Sequence, residues 1–358
     1  MSASSRLPGL FTLIISIMLF HPASLLSQLE QQHVRQVDTI ATFLDLFDES
    51  NPLQITLTLD IKRYQREKHK GEYMPVHFLY QLNDSVKVEK SMRMKARGEF
   101  RRSHCNMAPF WLNVNSGDEK NEESQDIKRI KIVTHCKGSK DYEEYVLKEY
   151  LCYRIYNIVA PVSFRARLVR MTYVDTGRKN KVTEGWAFMI EPEQMLADRL
   201  DALVVKNDHL PTTLMRPLDL DVLVMFQYMI GNPDFSVSGR HNIKILGLPG
   251  YGSQGYTPVP YDFDYTGLVN AYYAEPGEGL GINSVKERYF LGPCRGKDDY
   301  IPAIEHINQF REEIFRQINT FEFLDQKGKN EMTKYLDEYF RMAERPELIE
   351  SAIRRTCY

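Results

Sequence analysis

"GNPDFSVSGRHN", Gly231–Asn242, and "PVPYDFDYTG", Pro258–Gly267, are the stretches on which the reading of this chain turns. The first follows directly on "LDLDVLVMFQYMIG", Leu218 to Gly231, a run apolar enough to be a helix buried on most sides. The second closes a segment in which "NIKIL" and "TPVPYDFDY" read as short strands around the turn "GLPGYGSQG". Taken singly, each is turn chemistry: Asn-Pro-Asp favours a turn, and Asn242 is a good turn cap. Taken together, a buried helix fixes the loop and a hairpin folds back beside it, bringing Asp234 and Asn242 toward Asp262 and Asp264. Two carboxylates two apart on a strand face the same side. Asp262 and Asp264 also stand between Pro260, Tyr261, Phe263 and Tyr265, an unusual setting for a solvated surface pair.

The frame around these stretches is globular. The chain has 358 residues, 43% hydrophobic and 26% charged, enough for one large domain or two lobes with a core. Lys plus Arg (46) nearly balance Asp plus Glu (48), so no global field favours nucleic acid or an acidic membrane. Arg6, the apolar run Leu7–Phe20 and a polar "HPASLLSQ" fit a secretory signal peptide over residues 1–27, with cleavage expected after Ser27. The other reading of that segment is an uncleaved anchor. Apart from it, no stretch is apolar for long enough to span a membrane, so no stable span is expected once the signal is removed, and the expected destination is secreted, periplasmic or cell envelope. Export permits disulfides, and five cysteines leave at least one thiol over. Cys152, inside a helical pattern, reads as a small buried hydrophobe. Cys105 and Cys136 each follow a His. Adjacent residues on a strand point to opposite faces, which argues against two His-Cys pairs sharing a zinc and favours a Cys105–Cys136 disulfide.

Along the chain, Val37–Phe47 reads as a short helix. "PLQITLTLDI", "MPVHFLYQL", "VEKSMRMKARGEF", "PFWLNV" and "IKRIKIVTHC" read as strands of a mostly antiparallel sheet, with Asn115–Asp126 a charged surface loop. Asp141–Val159 carries a helical stripe, with the charges of "KDYEEYVLKEY" expected to face water. Pro161 ends it. "SFRARLVRMTYVD" and "GWAFMIE" return to strand, with Arg165 and Arg167 on one solvated or salt-bridged face. "PEQMLADRLDA" begins a helix, and the last sixty or so residues are amphipathic helices. The expected class is α+β in two lobes: a strand-rich lobe over 28–190 with one long helix (141–159), then a helical lobe over 191–358 carrying the loops.

The residue inventory of those loops has a definite chemistry. Asn and Asp are hard oxygen donors suited to Mg²⁺ or Mn²⁺. A further Asp, not committed to metal, accepts a proton from an attacking hydroxyl. A base Asp, then an Asn, then a strand and a metal-binding Asp is the set used by phosphoryl-transfer centres of the protein-kinase sort. "GNPDFSVSGRHNIKI" followed by "PVPYDFDYTG" resembles the CotH-like (spore-coat protein H-like) family of secreted atypical kinases. "KARGEF", "APVSFRARLVRMTYVD" and "GWAFMIE" extend the resemblance over roughly Met92 to Gly267.

The resemblance implies a bilobal, atypical protein-kinase-like fold using ATP with Mg²⁺ or Mn²⁺. Its partners would be a nucleotide and either a protein substrate or an envelope partner. It makes Asp234 the catalytic base, Asn242 a metal or loop-ordering ligand, Asp262 the metal-binding Asp and Asp264 its companion. Glu191 would lie at the lobe junction near the nucleotide base. The family's Lys some ten positions after Arg-Gly has no counterpart in "RRSHCNMAPFWLNV". Arg97, Arg102 or Lys131 is expected in its place, with Glu143, Glu144 or Glu149 of the following helix as ion-pair partner. Two other readings stand beside this one. The first is a catalytically inactive kinase-fold protein serving surface assembly. The second, a D-x-D glycosyltransferase, lacks the β-α-β alternation such a site needs ahead of it.

Overall fold

The computed structural model describes Phe47 and residues 51–81, 87–113, 129–207, 209–250 and 255–357. The signal segment 1–27, the loop 115–126 and, except for Phe47, the helix expected over Val37–Phe47 lie outside the described residues.

Strand-forming sequence dominates up to Ile190. Alternation in "LQITLTL" buries Leu53, Ile55, Leu57 and Leu59 and makes β1 (Leu53–Leu59). After α1 (Ile61–Glu67), capped by the Asp60 side chain, come β2 (Met74–Gln81), β3 (Lys87–Ala96), α2 (Glu99–His104), β4 (Phe110–Asn113) and β5 (Arg129–Thr134). The long α3 (Lys140–Val159) precedes β6 (Ala166–Asp175) and β7 (Lys181–Ile190). The strands close in the order β1-β2-β3-β4-β5-β7-β6, every neighbour antiparallel except β6, which seals the barrel by running parallel to β1. The strand patterns implied a mostly antiparallel sheet, and the structure adds its closure into a barrel. That closure removes both sheet edges, which six antiparallel pairings alone cannot do. "VEKSMRMKARGEF" is also not one strand. The chain turns at Gly98 with φ +79, a left-handed geometry that favours glycine, and Glu99 opens α2.

The second half is helical around a small sheet. It contains α4 (Glu193–Arg199), β8 (Leu203–Val204), α5 (Pro217–Ile230), β9 (Ile243–Gly247) and β10 (Tyr256–Pro260), then α6 (Lys297–Gln309), α7 (Arg311–Asn319), α8 (Gln326–Ala343) and α9 (Pro346–Thr356). This is the bilobal α+β architecture expected of a kinase-like chain. α5 starts with Pro217 at its first turn, buries every residue from Leu220 to Ile230, and stops at Gly231 in the left-handed region. A side chain on Gly231 would strike the Tyr335 hydroxyl.

Helix α3 lies between β7 and helix α7 and is buried on nearly all sides. Its charges therefore do not all face water, contrary to expectation. Lys148 is 3% exposed and pairs with Glu144 and Glu331 at 2.6 and 2.8 Å, and Glu149 is 1% exposed. A helix with apolar groups on one side and a second lobe on the other leaves its polar residues no water, so they pair. Disulfides join Cys105 to Cys136 and Cys294 to Cys357, leaving Cys152 as the buried free thiol. Among the described residues no helix is long and apolar enough to cross a membrane.

Candidate functional site

The two opening stretches are hydrogen-bonded to each other. Gly267 N–H donates to Gly231 O at 2.9 Å, and Tyr261 N–H donates to Asn242 O at 3.0 Å. The β9–β10 pairing, with Pro260 opposite Ile243, fixes this register. Asp262 and Asp264 come just after β10 rather than on it. Asp262 adopts φ +66, a conformation uncommon for a residue with a side chain and held only where the surroundings impose it. The restraint is visible: the Asp262 N–H donates to the hydroxyl of Tyr153, buried on α3, at 2.9 Å.

Around this bend a buried charge cluster assembles. Arg101 of α2, 7% exposed, donates through Nη1 to Glu149 Oε2 at 3.2 Å and through Nη2 to Asp262 Oδ1 at 2.6 Å; its Nε lies 3.2 Å from Asp264 Oδ2. One guanidinium thus joins α2, α3 and the bend after β10. Arg97 adds a longer contact to Asp262 Oδ2, 3.5 Å, and the Tyr273 hydroxyl donates to Asp264 Oδ2 at 3.1 Å. The carboxylates of Glu149, Asp262 and Asp264 each offer an oxygen within 4.8 Å of the others. Glu149 Oε1 is buried with no hydrogen-bond partner.

Position separates the three acids. Burial pushes the Glu149 carboxyl up to about 8 against the pull of Arg101, with Asp264 and Asp262 adding to the rise. Burial likewise lifts Asp264 to about 7, with Arg101 opposing and Asp262 reinforcing. For Asp262, burial is outweighed by Arg101, Arg97 and Lys131, which hold the carboxyl well below its usual range. Asp262 is therefore the fixed anion and its neighbours are proton holders, the kind of divergence found among acids at reacting centres.

Asp234 and Asn242 form a second, more open pair. Asn242 donates through Nδ2 to the Asp234 backbone oxygen at 2.9 Å and to Oδ2 at 3.0 Å, and His241 Nε2 lies 2.8 Å from Oδ1. The loop is anchored by Asn232, 1% exposed, which accepts from the Asp234 N–H at 2.9 Å and donates to Gln227 Oε1 at 3.0 Å. The negative charge of Asp234 is close enough to weigh on Asp264.

Beside the cluster, a cleft of about 420 Å³ opens between the lobes, lined among others by Arg97, Trp111, Lys131, Glu191, Lys244 and Tyr261. The sequence offered Arg97, Arg102 or Lys131 as ion-pair partner of Glu149, Glu144 or Glu143, with Lys131 on β5. The Lys131 side chain instead points into this cleft, with Nζ 4.0 Å from the Tyr261 ring centroid, and Arg101 holds Glu149. Glu191 does stand at the lobe junction, but its carboxylate is fully engaged. It takes the Arg165 backbone N–H and Nε, both at 3.0 Å, and Arg199 Nε and Nη2 at 3.1 and 3.0 Å. It locks the start of β6 to the end of α4 and has no lone pair left for a ligand.

The sequence reading missed Arg101, Tyr153, Asn232 and Tyr273. Arg101 sits in a six-residue helix beside Arg102, and nothing in "RGEFRRSHC" says which arginine turns inward. One signal existed: a Cys105–Cys136 link ties the end of α2 to the end of β5 and so turns α2 toward α3.

No family model matches the chain, and no curated protein matches it. A crystal structure of a Helicobacter pylori proinflammatory kinase, CtkA, aligns with 73% of this chain and 94% of that chain at 13% identity and a TM-score of 0.38. So loose an overlay carries no argument about the site.

Proposed function

We propose that this chain is an exported, CotH-like phosphotransferase that holds a nucleoside triphosphate in the interlobe cleft and passes its terminal phosphoryl group to a protein hydroxyl. The observation that carries this reading is the Arg101 bridge between Glu149 and Asp262. Protein kinases need a basic side chain paired with a helix glutamate and, beside it, an Asp placed to hold the metal, and Arg101 sets Glu149 and Asp262 side by side. Here an arginine from α2 supports the same reading in place of a strand lysine. Export rests on the segment 1–27 and accords with two disulfides, which persist in oxidising compartments.

In this reading Asp234 accepts the acceptor's hydroxyl proton as the hydroxyl oxygen bonds to the terminal phosphorus and the bridging P–O bond breaks. Asn242 and His241 keep the Asp234 carboxylate oriented from two sides, leaving a remaining lone pair for the hydroxyl. Arg97 supplies fixed positive charge beside the phosphates, with the Lys131 amine next to it in the cleft. A hard divalent ion, Mg²⁺ or Mn²⁺, fits the donor chemistry: Asp262 and Asp264 would hold it, with the Asn242 amide oxygen and the orphaned Glu149 Oε1 in reserve. Such an ion neutralises charge on the transferring group. Arg101 lies on the same Asp262 and Asp264 side chains, so it would compete with the ion for those oxygens.

That competition is also what favours the second reading, an inactive kinase-fold assembly protein: the cluster already satisfies its own charge. The test is phosphoryl transfer from γ-labelled ATP by the purified mature protein, with Mg²⁺ or Mn²⁺, to envelope or secreted proteins of its source. Label transferred by the wild type and not by Asp234→Asn supports the enzyme. Absence of transfer, with ATP and either metal giving no thermal shift, selects the assembly protein.

A further inference from the structure

The cleft is more cationic than a nucleobase pocket needs to be. Arg97, Arg129, Lys131, Lys206 and Lys244 all line it. The acids near them are engaged: Glu191 by Arg165 and Arg199, Glu193 by Lys244 at 3.4 Å, and Asp262 by Arg101 and Arg97. Among the described residues, Arg129, Lys131 and Lys206 have no carboxylate within ion-pair distance. Burial, with Arg97 next in weight, pushes the Lys131 ammonium well below its usual range, and the more distant Asp262 opposes that shift only in part.

The aromatic rings that could stack a base are also occupied. Trp111 carries Arg129 at 4.8 Å, Arg97 at 5.5 Å and Lys131 at 5.7 Å from its centroid. Tyr261 carries Lys131 at 4.0 Å and Lys244 at 5.9 Å. A ring facing a cation gains from its own quadrupole and holds that cation in place. The result is a rigid array of positive groups pointing into a small volume, which suits several phosphates in a row better than a purine.

We propose that this cleft recognises its donor by the polyphosphate chain and not by the base, so that triphosphates of any base, and inorganic tripolyphosphate itself, occupy it alike. The inference rests on the reading of the cleft as the donor site and adds the chemical class that it accepts.

The experiment is displacement of a ribose-labelled fluorescent ATP from the full chain by ATP, GTP, CTP, tripolyphosphate and adenosine. The three nucleotides should agree within about threefold and tripolyphosphate fall within about tenfold of ATP, while adenosine leaves the probe bound. The double variant Arg129→Ser, Lys206→Ser should weaken ATP and tripolyphosphate by the same factor, roughly tenfold or more, with a shallower salt dependence. Displacement by adenosine without tripolyphosphate, or a GTP affinity far below that of ATP, overturns the inference while leaving the phosphotransferase reading intact. Should the labelled ATP itself fail to bind, calorimetric titration with tripolyphosphate decides. Binding there sustains the polyphosphate site and removes the nucleotide reading, and no binding overturns both.

Discussion

Replacing Arg101 by methionine keeps the length of the side chain and removes its charge. In the intact protein the guanidinium contacts Glu149, Asp262 and Asp264 at 3.2, 2.6 and 3.2 Å. Charge-assisted bonds contribute about 1.5–3 kcal/mol each, so simple addition gives roughly 5–9 kcal/mol. The abandoned acids will not stay charged, however. Burial already biases Glu149 and Asp264 toward the protonated form, and protonation relieves much of the repulsion. The expected loss is therefore that of one broken buried pair, about 3–5 kcal/mol. At about 2–4 °C per kcal/mol for a chain of this scale, the melting temperature falls by about 10 °C. The pH dependence has a definite sign. Without Arg101 the folded-state pKa values of all three acids rise, the folded form binds protons that the unfolded chain lacks, and stability declines as pH rises. The deficit should thus be smaller at pH 5.5 than at pH 8, measured by calorimetry on metal-free protein. A loss below about 1 kcal/mol that is flat with pH would refute the assignment of Arg101 as the cation that holds the lobes together.

Other residues make separate forecasts. In metal-free protein, Glu149 has its pKa raised to about 8, above the unfolded value of about 4.3. Its stabilising share is therefore complete below the unfolded pKa and lost as pH climbs through about 8, and Glu149→Gln should flatten the stability profile over that window. Tyr153→Phe removes the acceptor of the Asp262 N–H; a loss of about 1 kcal/mol is expected in urea melts, with weaker ATP binding in calorimetry because the left-handed bend relaxes. The double replacement Cys105→Ser, Cys136→Ser opens a link of sequence separation 31 and should cost about 3–4 kcal/mol by denaturant titration, because it frees the unfolded chain.

The sequence carried the order of elements well because the signals were local. Alternation marked β1, unbroken apolar character marked α5, and the Asn-Pro-Asp and D-x-D stretches lay on either side of a hairpin that register then forced together. What escaped it were effects with no local signature. Closure of the barrel depends on β6 meeting β1 across more than a hundred residues. The burial of Lys148 and Glu149 depends on a second lobe covering a helix face that its own pattern leaves polar. Asp262 looked like a strand residue because Tyr261 and Phe263 alternate with it, yet Tyr153 holds it in a bend. The glutamate's partner escaped for the same reason: the sequence offered Arg97, Arg102 or Lys131, and only the packing of α2 against α3 selects Arg101.

Calorimetric titration of ATP with and without Mn²⁺ into wild type and Asp262→Asn decides whether Asp262 and the cleft beside it form a metal-assisted donor site. Asn keeps the size of the side chain and removes the anion that Arg101 and Arg97 engage. The expected result is tightening of ATP binding by about tenfold or more on adding Mn²⁺ in the wild type, and none in the variant. ATP binding indifferent to the ion and unchanged in Asp262→Asn, or no binding by either protein, would contradict it.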